Sequence, residues 1–368
     1  EFFKEVMNWG DQYLFPVGLT LHMTATNPKA TNIDDAFSEL FNSNDLSNIS
    51  EVTFWKKYSI ADGVFNTVTQ QLSGGVTDNV KPSGLSKSLV DNFLNVDGTP
   101  VDPTDEKYKD FNEVFKDRDG RLLAMVMHTG CKFKSNSLMN VRAYDETGTE
   151  EEQKEKNKDI SSPRLNGDGI YKNVTGFHTR LGIDTTYVTG NCETAHVMFR
   201  YAEGLLCYAE AAAELGLYND GVAEKTLKPL RQRAYVTPAA DPHFPFQGLP
   251  PAVQEVRRER RSELSLQGFR LDDLMRWRVA GTLKGVEGRG RGAYLGKDGV
   301  LYLSFSPTLR KEGLNHVLTD NEGWMDPLKE YLPEGYKFNE DRDYLLPIPP
   351  DEIQMDHELN QNPGWPTK

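Results

Sequence analysis

Apolar residues at Phe2, Phe3, Val6, Met7 and Leu14 recur at helical spacing and predict a helix over 1–15. Ile33-Asp-Asp-Ala-Phe-Ser-Glu-Leu-Phe predicts a second, short helix over 33–42. Glu51–Tyr58 is rich in β-branched and aromatic residues and reads as a strand. Gly, Thr and Asn dominate 59–82, which reads as a loop. Ser86 is placed to cap a helix running to Phe93. Asp117-Arg-Asp-Gly-Arg-Leu reads as a turn leading into an apolar strand over Leu122–Met127. The charged, then Asn/Gly-rich stretch 145–169 reads as a long exposed loop.

The pattern changes after His196. Phe199, Ala202, Leu205, Leu206, Ala209, Ala213 and Leu217 follow helical spacing, and a second helix is expected over about Gly221–Arg233. Small residues at 209 and 211–213 allow a close helix–helix contact, so the pair resembles one tetratricopeptide-like unit, with no clear repeat of it elsewhere. Residues 236–251 are Pro-rich and extended. Val253–Arg278 is the longest helical pattern, interrupted by Gly268. The Gly-rich stretch 284–300 is loop, and 301–343 is irregular with aromatics. In the tail, Pro347, Pro349 and Pro350 enforce an extended chain, Leu345, Leu346 and Ile348 offer side chains to bury, and Asn362-Pro363-Gly364 makes a turn before the anchor Trp365. The fold class expected is mainly α, a tetratricopeptide-like α-α superhelical scaffold with long loops and a few short strands. Three regions follow: 1–82 as a helical scaffold with loop, 83–195 as a loop-rich ligand-facing region, and 196–368 as a helical region with a docked tail, together forming one compact domain.

The chain has 368 residues and a net charge of -13, which disfavours nucleic acid and anionic membrane surfaces as main partners. No apolar run approaches the roughly 20 residues of a membrane helix. The three cysteines, Cys131, Cys192 and Cys207, do not make a disulfide framework or a zinc spacing, and Cys207 reads as core. Glu1–Trp9 reads as helix from the middle of a domain, without an initiator Met, signal peptide or lipid-accepting Cys. A longer precursor is therefore expected.

No nucleophile elbow, zinc-protease helix, Walker loop or dinucleotide fingerprint is present. Gly288-Arg-Gly-Arg-Gly292 lacks the Lys-Ser/Thr and the preceding strand of a phosphate cradle. The seven histidines share no metal-ligand spacing, and Asn166-Gly-Asp-Gly169 is a turn without the rest of a calcium loop. No catalytic residue, metal or cofactor is expected.

Three stretches resemble the SusD/RagB family in order along the chain. The first is Phe199-Arg-Tyr-Ala-Glu-Gly-Leu-Leu-Cys-Tyr-Ala-Glu-Ala, which includes Arg200, Tyr201 and Glu203. Gly204 and Cys207 there replace bulkier residues. The second runs from Arg257 to Trp277 and includes Glu259, Arg260, Arg261, Glu263 and Arg270, with Gln267 where the family has Glu. The third is the tail, from Tyr344 to Trp365. A weaker fourth is Ser83–Pro100, a short helix before Asp97-Gly-Thr-Pro100. These residues read as scaffold: the alternating charges of the second stretch are expected to form partly buried ion pairs, and Trp277 and Trp365 to pack.

The resemblance implies capture without catalysis of a glycan, or alternatively a peptide. The protein would be a surface lipoprotein of the outer membrane of a Bacteroidetes-type bacterium, delivering its ligand to a SusC-like TonB-dependent transporter. Its membrane contact would be a lipid anchor outside this chain. A protein-binding tetratricopeptide-like scaffold and a glycan-cleaving enzyme are the competing readings. Sugar recognition needs flat aromatic faces beside hydroxyl-bonding side chains. The candidates are Trp324; Tyr144 and Tyr171 with Arg142, Asn166, Asp168 and Asn173; Trp55 with Tyr58; and Tyr294 and Tyr302. For each alone, packing is the commoner role.

Overall fold

A computed structural model describes residues 1–23, 36–69, 84–133, 137–138, 147–158, 175–184, 191–237, 248–295 and 318–366. Tyr144, Tyr171, Arg142, Asn166, Asp168, Asn173 and Tyr302 lie outside the described residues. The scaffold is mainly helical and tetratricopeptide-like, with few and short strands. Two units divide it: Glu1–Glu263 with Arg291–Pro327, and Leu264–Gly290 with Leu328–Lys368.

In the first unit α1 (Phe2–Trp9) continues into a π-helical turn, Gly10–Leu14. Helix α2 spans Ala36–Asn42, strand β1 Val52–Lys56 and helix α3 Lys87–Val90, whose N-cap Ser86 accepts the Leu89 N–H as the sequence predicts. Helix α4 (Gly120–Met125) replaces the strand expected over Leu122–Met127. Asp119 caps it by accepting the Arg121 N–H at 2.9 Å. The apolar run is buried nearly all round, so its periodicity does not separate strand from buried helix. Lys132–Phe133 (β2) and Ser137–Leu138 (β3) form a small antiparallel pair.

Helix α5 (Glu150–Lys156) interrupts the loop expected over 145–169. A reciprocal capping box between Thr149 and Glu152, three acidic residues in the first turn and two lysines in the last suit the helix dipole. Strand β4 (His196–Arg200) pairs antiparallel with β1 and leads directly into α6 (Tyr201–Glu214). Phe199, which fits the helical spacing, therefore lies in a strand. The helix expected over 221–233 is two, α7 (Asp220–Lys225) and α8 (Leu227–Arg233), broken at Thr226. Helix α9 spans Pro251–Glu263.

Helix α6 is the hub, packing on α1, α7, α8 and α9. Two glycines set its approach to the N-terminal segment. A Cβ on Gly204 would press on Leu14 Cδ1, and one on Gly10 would overlap the Tyr208 ring. Gly204 therefore makes room for Leu14. Cys207 is exposed rather than core and lines a cavity beside α1 together with Gly204 and Tyr208. The main apolar core gathers Phe93, Phe111, Phe115, Leu122, Met125 and Phe177 with their neighbours. Buried Arg118 donates to the backbone carbonyls of Val90 and Phe93 (2.8 and 2.9 Å) and of Val114 (2.8 Å), tying α3 to the turn that follows.

A buried charge network crosses the same unit. Glu259 and Glu263, one turn apart on α9, are fully buried. Arg121 meets Asp119, Glu259 and Glu263 at 2.7, 2.6 and 2.8 Å. Arg200 meets Glu51 at 2.9 Å and Glu263 at 2.6 Å, and Arg233 meets Glu51 at 2.6 Å and also Glu263. Arg231 and Arg258 reach Glu259 at 3.0 and 2.8 Å. Four segments distant in sequence, around Glu51, Arg121, Arg200 and Arg231–Arg233, are thereby held to one helix.

In the second unit Leu266 and Gly268 take φ of 63° and 91°. Neither fits a right-handed helix, so the long pattern over 253–278 ends at Glu263 and resumes as α10 (Arg270–Arg276). Arg270 is exposed, and Arg276 lies over the Trp277 ring at 4.8 Å. The tail docks by polar contacts. Gln361 exchanges two hydrogen bonds with the Ile348 backbone, Asn362 Nδ2 donates to the Leu346 carbonyl, and Trp365 Nε1 donates to the Leu345 carbonyl. Leu345 and Leu346, expected to be buried, are exposed. The chain is pinned through its backbone, and the consecutive side chains of Leu345 and Leu346 point outward. Helix α11 (Pro350–Met355) starts with Pro at its first position. No helix among the described residues is long and apolar enough to cross a membrane.

Candidate ligand-binding surface

Tyr294 and Trp324, separate candidates in the sequence, face each other across an antiparallel bridge. The ladder is short and tightly held. Gly292 donates to the Met325 carbonyl (2.8 Å), Met325 to Ala293 (3.0 Å) and Leu295 to Gly323 (2.8 Å). Asp320 shapes the turn: its Oδ1 accepts the N–H groups of Glu322, Gly323 and Trp324 at 2.8, 2.9 and 3.0 Å. The Asp320 Oδ2 atom faces Arg291 Nε at 2.7 Å, and Glu322 meets Arg291 Nη1 at 3.1 Å.

The two rings pack edge to face, 5.1 Å between centroids and 68° apart. Trp324 is only 7% exposed, and Lys87 lies 4.7 Å from its ring centre. It therefore supports the surface from beneath. Tyr294 is half-buried and Lys109 lies 5.2 Å from its ring centre. The Glu106 carboxylate holds the Lys109 ammonium pKa above its usual range, with Tyr294 and Glu322 adding to the effect. The accessible groups are thus an aromatic ring, two cations and two carboxylates. Such a set stacks on a sugar C–H face and exchanges hydrogen bonds with hydroxyls.

Trp55 and Tyr58 lie elsewhere, on and just beyond β1. Trp55 is half-buried opposite Val197, and Lys56 sits 5.0 Å from the Tyr58 ring centre. Sequence reasoning passed over the exposed pair on this ribbon, Phe54 and Phe199, whose rings stack 6.1 Å apart at 21°. Neither strand alternates cleanly, and at Phe199 the helical spacing that follows masks the strand.

Among the described residues a cavity of about 590 Å³ runs beside α1 and is lined by Phe2, Val6, Trp9, Tyr13, Leu14 and Tyr208. Its wall is almost wholly apolar, which does not suit a hydroxyl-rich ligand. The scaffold residues stay in scaffold roles. Arg260 reaches Glu210 at 4.0 Å, Arg261 donates to Ser88 at 2.8 Å, and burial raises the Glu203 carboxyl pKa against the pull of Arg260 and Arg200. Tyr201 is half-buried at the start of α6. Among the described residues no cluster of three His, Cys, Asp or Glu side chains is arranged to hold a metal.

A family model described as the SusD family matches residues 55–365. No protein of curated function matches the chain in sequence. Among solved structures, a SusD-like carbohydrate binding protein from Bacteroides fragilis aligns with TM-score 0.61 and 21% identity, over 97% of this chain and 61% of its own. A second SusD-like protein from Bacteroides fragilis aligns with TM-score 0.61 and 19% identity, over 99% of this chain and 62% of its own. The chain thus spans about three-fifths of the length of these relatives.

Proposed function

The chain belongs to the SusD family, and on that premise we propose that it captures a glycan by binding, without chemistry, and passes it to a TonB-dependent transporter at an outer-membrane surface. The observation that carries the glycan reading is the Tyr294–Trp324 ladder, with Arg291, Glu322 and Lys109 around the accessible ring. The name of the first structural relative, a carbohydrate binding protein, supports the same ligand class. Arg291 is engaged by Asp320 and Glu322 and Lys109 by Glu106, which favours fixed hydrogen-bonding partners over a catalytic acid–base pair.

The test is a binding screen against soluble polysaccharides and peptides, with reducing ends assayed in the same tubes. Saturable binding to one glycan class without new reducing ends is expected. Tyr294→Ala should weaken it by about 5- to 30-fold, the equivalent of about 1–2 kcal/mol for losing an aromatic face. Binding of peptides alone would transfer the reading to peptide capture. New reducing ends would overturn the non-catalytic reading.

A further inference from the structure

A pocket of the second unit, about 290 Å³ in volume and lined by Lys284, Tyr336, Asn339 and Arg342 among others, shares no residue with the surface around Tyr294. That size is near the lower bound of about 300 Å³ for small-ligand sites, enough for one sugar ring rather than a chain. Backbone contacts fix its floor. The Gly285 N–H donates to the Tyr336 carbonyl at 2.9 Å, and Lys284 also bridges to Tyr336. Gly335, at φ 74°, comes so close that a Cβ there would overlap the Gly285 carbonyl.

The wall is equally fixed. The Asn339 N–H donates to Asp343 Oδ2 at 2.7 Å, and the Asp341 N–H to Asn339 Oδ1 at 3.1 Å. Arg342 Nε donates to Asp343 Oδ1 at 2.6 Å, while its guanidinium lies 4.5 Å from the Trp365 ring centre. Lys337 pairs with Glu334 at 3.2 Å.

What these pairings leave open is specific. Tyr336 is 43% exposed and presents an aromatic face. Lys284 is exposed and has no ion-pair partner among the described residues, and Asn339 Nδ2 has no hydrogen-bond partner among them. The open groups are donors with one surplus positive charge, beside a flat ring. The complementary ligand has a C–H face and a carboxylate. Resting on the glycan-capture reading, we propose that this pocket binds a carboxylate-bearing pyranose, a uronic acid unit, with its ring on Tyr336 and its carboxylate on Lys284. Asn339 Nδ2 then donates to a ring hydroxyl.

The full chain is titrated with methyl glucuronide and methyl glucoside and followed by NMR, alongside Lys284→Gln, Tyr336→Ala and Tyr294→Ala. Lys284 and Tyr336 are exposed, so their variants should melt with the wild type. The glucuronide should bind about 10-fold more tightly than the glucoside, as a charge-assisted hydrogen bond implies. Lys284→Gln should abolish that preference, Tyr336→Ala should lose both sugars, and Tyr294→Ala should leave both unchanged. Equal binding of the two sugars by the wild type, a preference that survives Lys284→Gln, or no glucuronide binding at millimolar concentration overturns the proposal. Polysaccharide capture lost in Tyr294→Ala but untouched by the pocket variants would remove this pocket alone. Pocket binding with no effect of Tyr294→Ala on capture would instead remove the surface around Tyr294.

Discussion

Glu263→Gln is expected to destabilise the first unit by about 3–5 kcal/mol at neutral pH, the range found when one partner of a buried ion pair is removed. The size follows from the surroundings. Glu263 is fully buried and faces Arg121, Arg200 and Arg233. The amide is nearly isosteric but carries no charge and accepts through one oxygen only, so three guanidinium groups lose a shared counter-charge in a place water does not reach. Arg270→Gln, from the same sequence motif but at an exposed position, should change stability by no more than about 0.5 kcal/mol. The pH dependence gives a second check. Burial pushes the Glu263 carboxyl up, but Arg233, Arg200 and Arg121 overcome it and hold it at about 2 against an ordinary 4.5. A depressed carboxyl contributes stability that is present above pH 4.5 and lost as the pH falls towards 2. Wild type and Glu263→Gln should therefore converge through that window. Urea unfolding at neutral pH decides the matter: a loss below about 1 kcal/mol would show that the network is not a net support.

The network also shows where reading the sequence stops. Glu259 and Glu263 are visibly one turn apart, and charges following Val253 and Val256 announce a partly buried helix. Their partners are not visible, because Arg121, Arg200, Arg231, Arg233 and Glu51 come from distant segments that only the fold brings together. The same limit governs the candidate site. Trp324 and Tyr294 stand out as aromatics in irregular sequence, yet their bridge depends on a ladder between segments about 30 residues apart that no period reveals. Local devices are legible: the Ser86 cap, the extended chain through Pro347 and Pro349 and the turn at Asn362-Pro363-Gly364 all depend on neighbouring residues, whereas Pro350, expected to be extended, opens helix α11 because its fixed φ also suits a first helical position. Where local signals compete, composition alone does not decide the element. Leu122–Met127 has the composition of a buried strand, but the Asp119 cap makes it a helix. The capping box at Thr149 and Glu152 makes a helix of a stretch whose dense charge reads as loop. Tyr336, Lys284 and Asn339 carried no joint signal, since their pocket exists only once Gly285 and Gly335 meet.

The second large effect concerns acid. His128 is buried, with its ring stacked on Phe115 at 5.4 Å and its Nδ1 2.9 Å from the Val126 carbonyl. That contact makes Nδ1 the protonated nitrogen and leaves Nε2, which has no partner among the described residues, as the site a second proton would take. Burial lowers the pKa to about 4 from 6.5; the Val126 carbonyl opposes this and Arg180 adds to it. For a histidine depressed in the folded state, the unfolded chain binds the proton first. Stability is then complete above pH 6.5 and falls as the pH drops towards 4. The fall from 6.5 to about 4 corresponds to about 3 kcal/mol over the whole window, of which about 2 kcal/mol is lost by pH 5. This loss precedes that of Glu263, so mild acid should weaken the first unit while its charge network is still ionised. His128→Phe preserves the stacking on Phe115 and removes the titration. It should cost about 1 kcal/mol at pH 7.5 for the unpaired Val126 carbonyl, then stay level where the wild type declines, so that the variant becomes the more stable protein near pH 5. Urea midpoints for both proteins at pH 7.5, 6 and 5 test this directly. Parallel decline of the two curves would show that His128 is already free to protonate in the folded state.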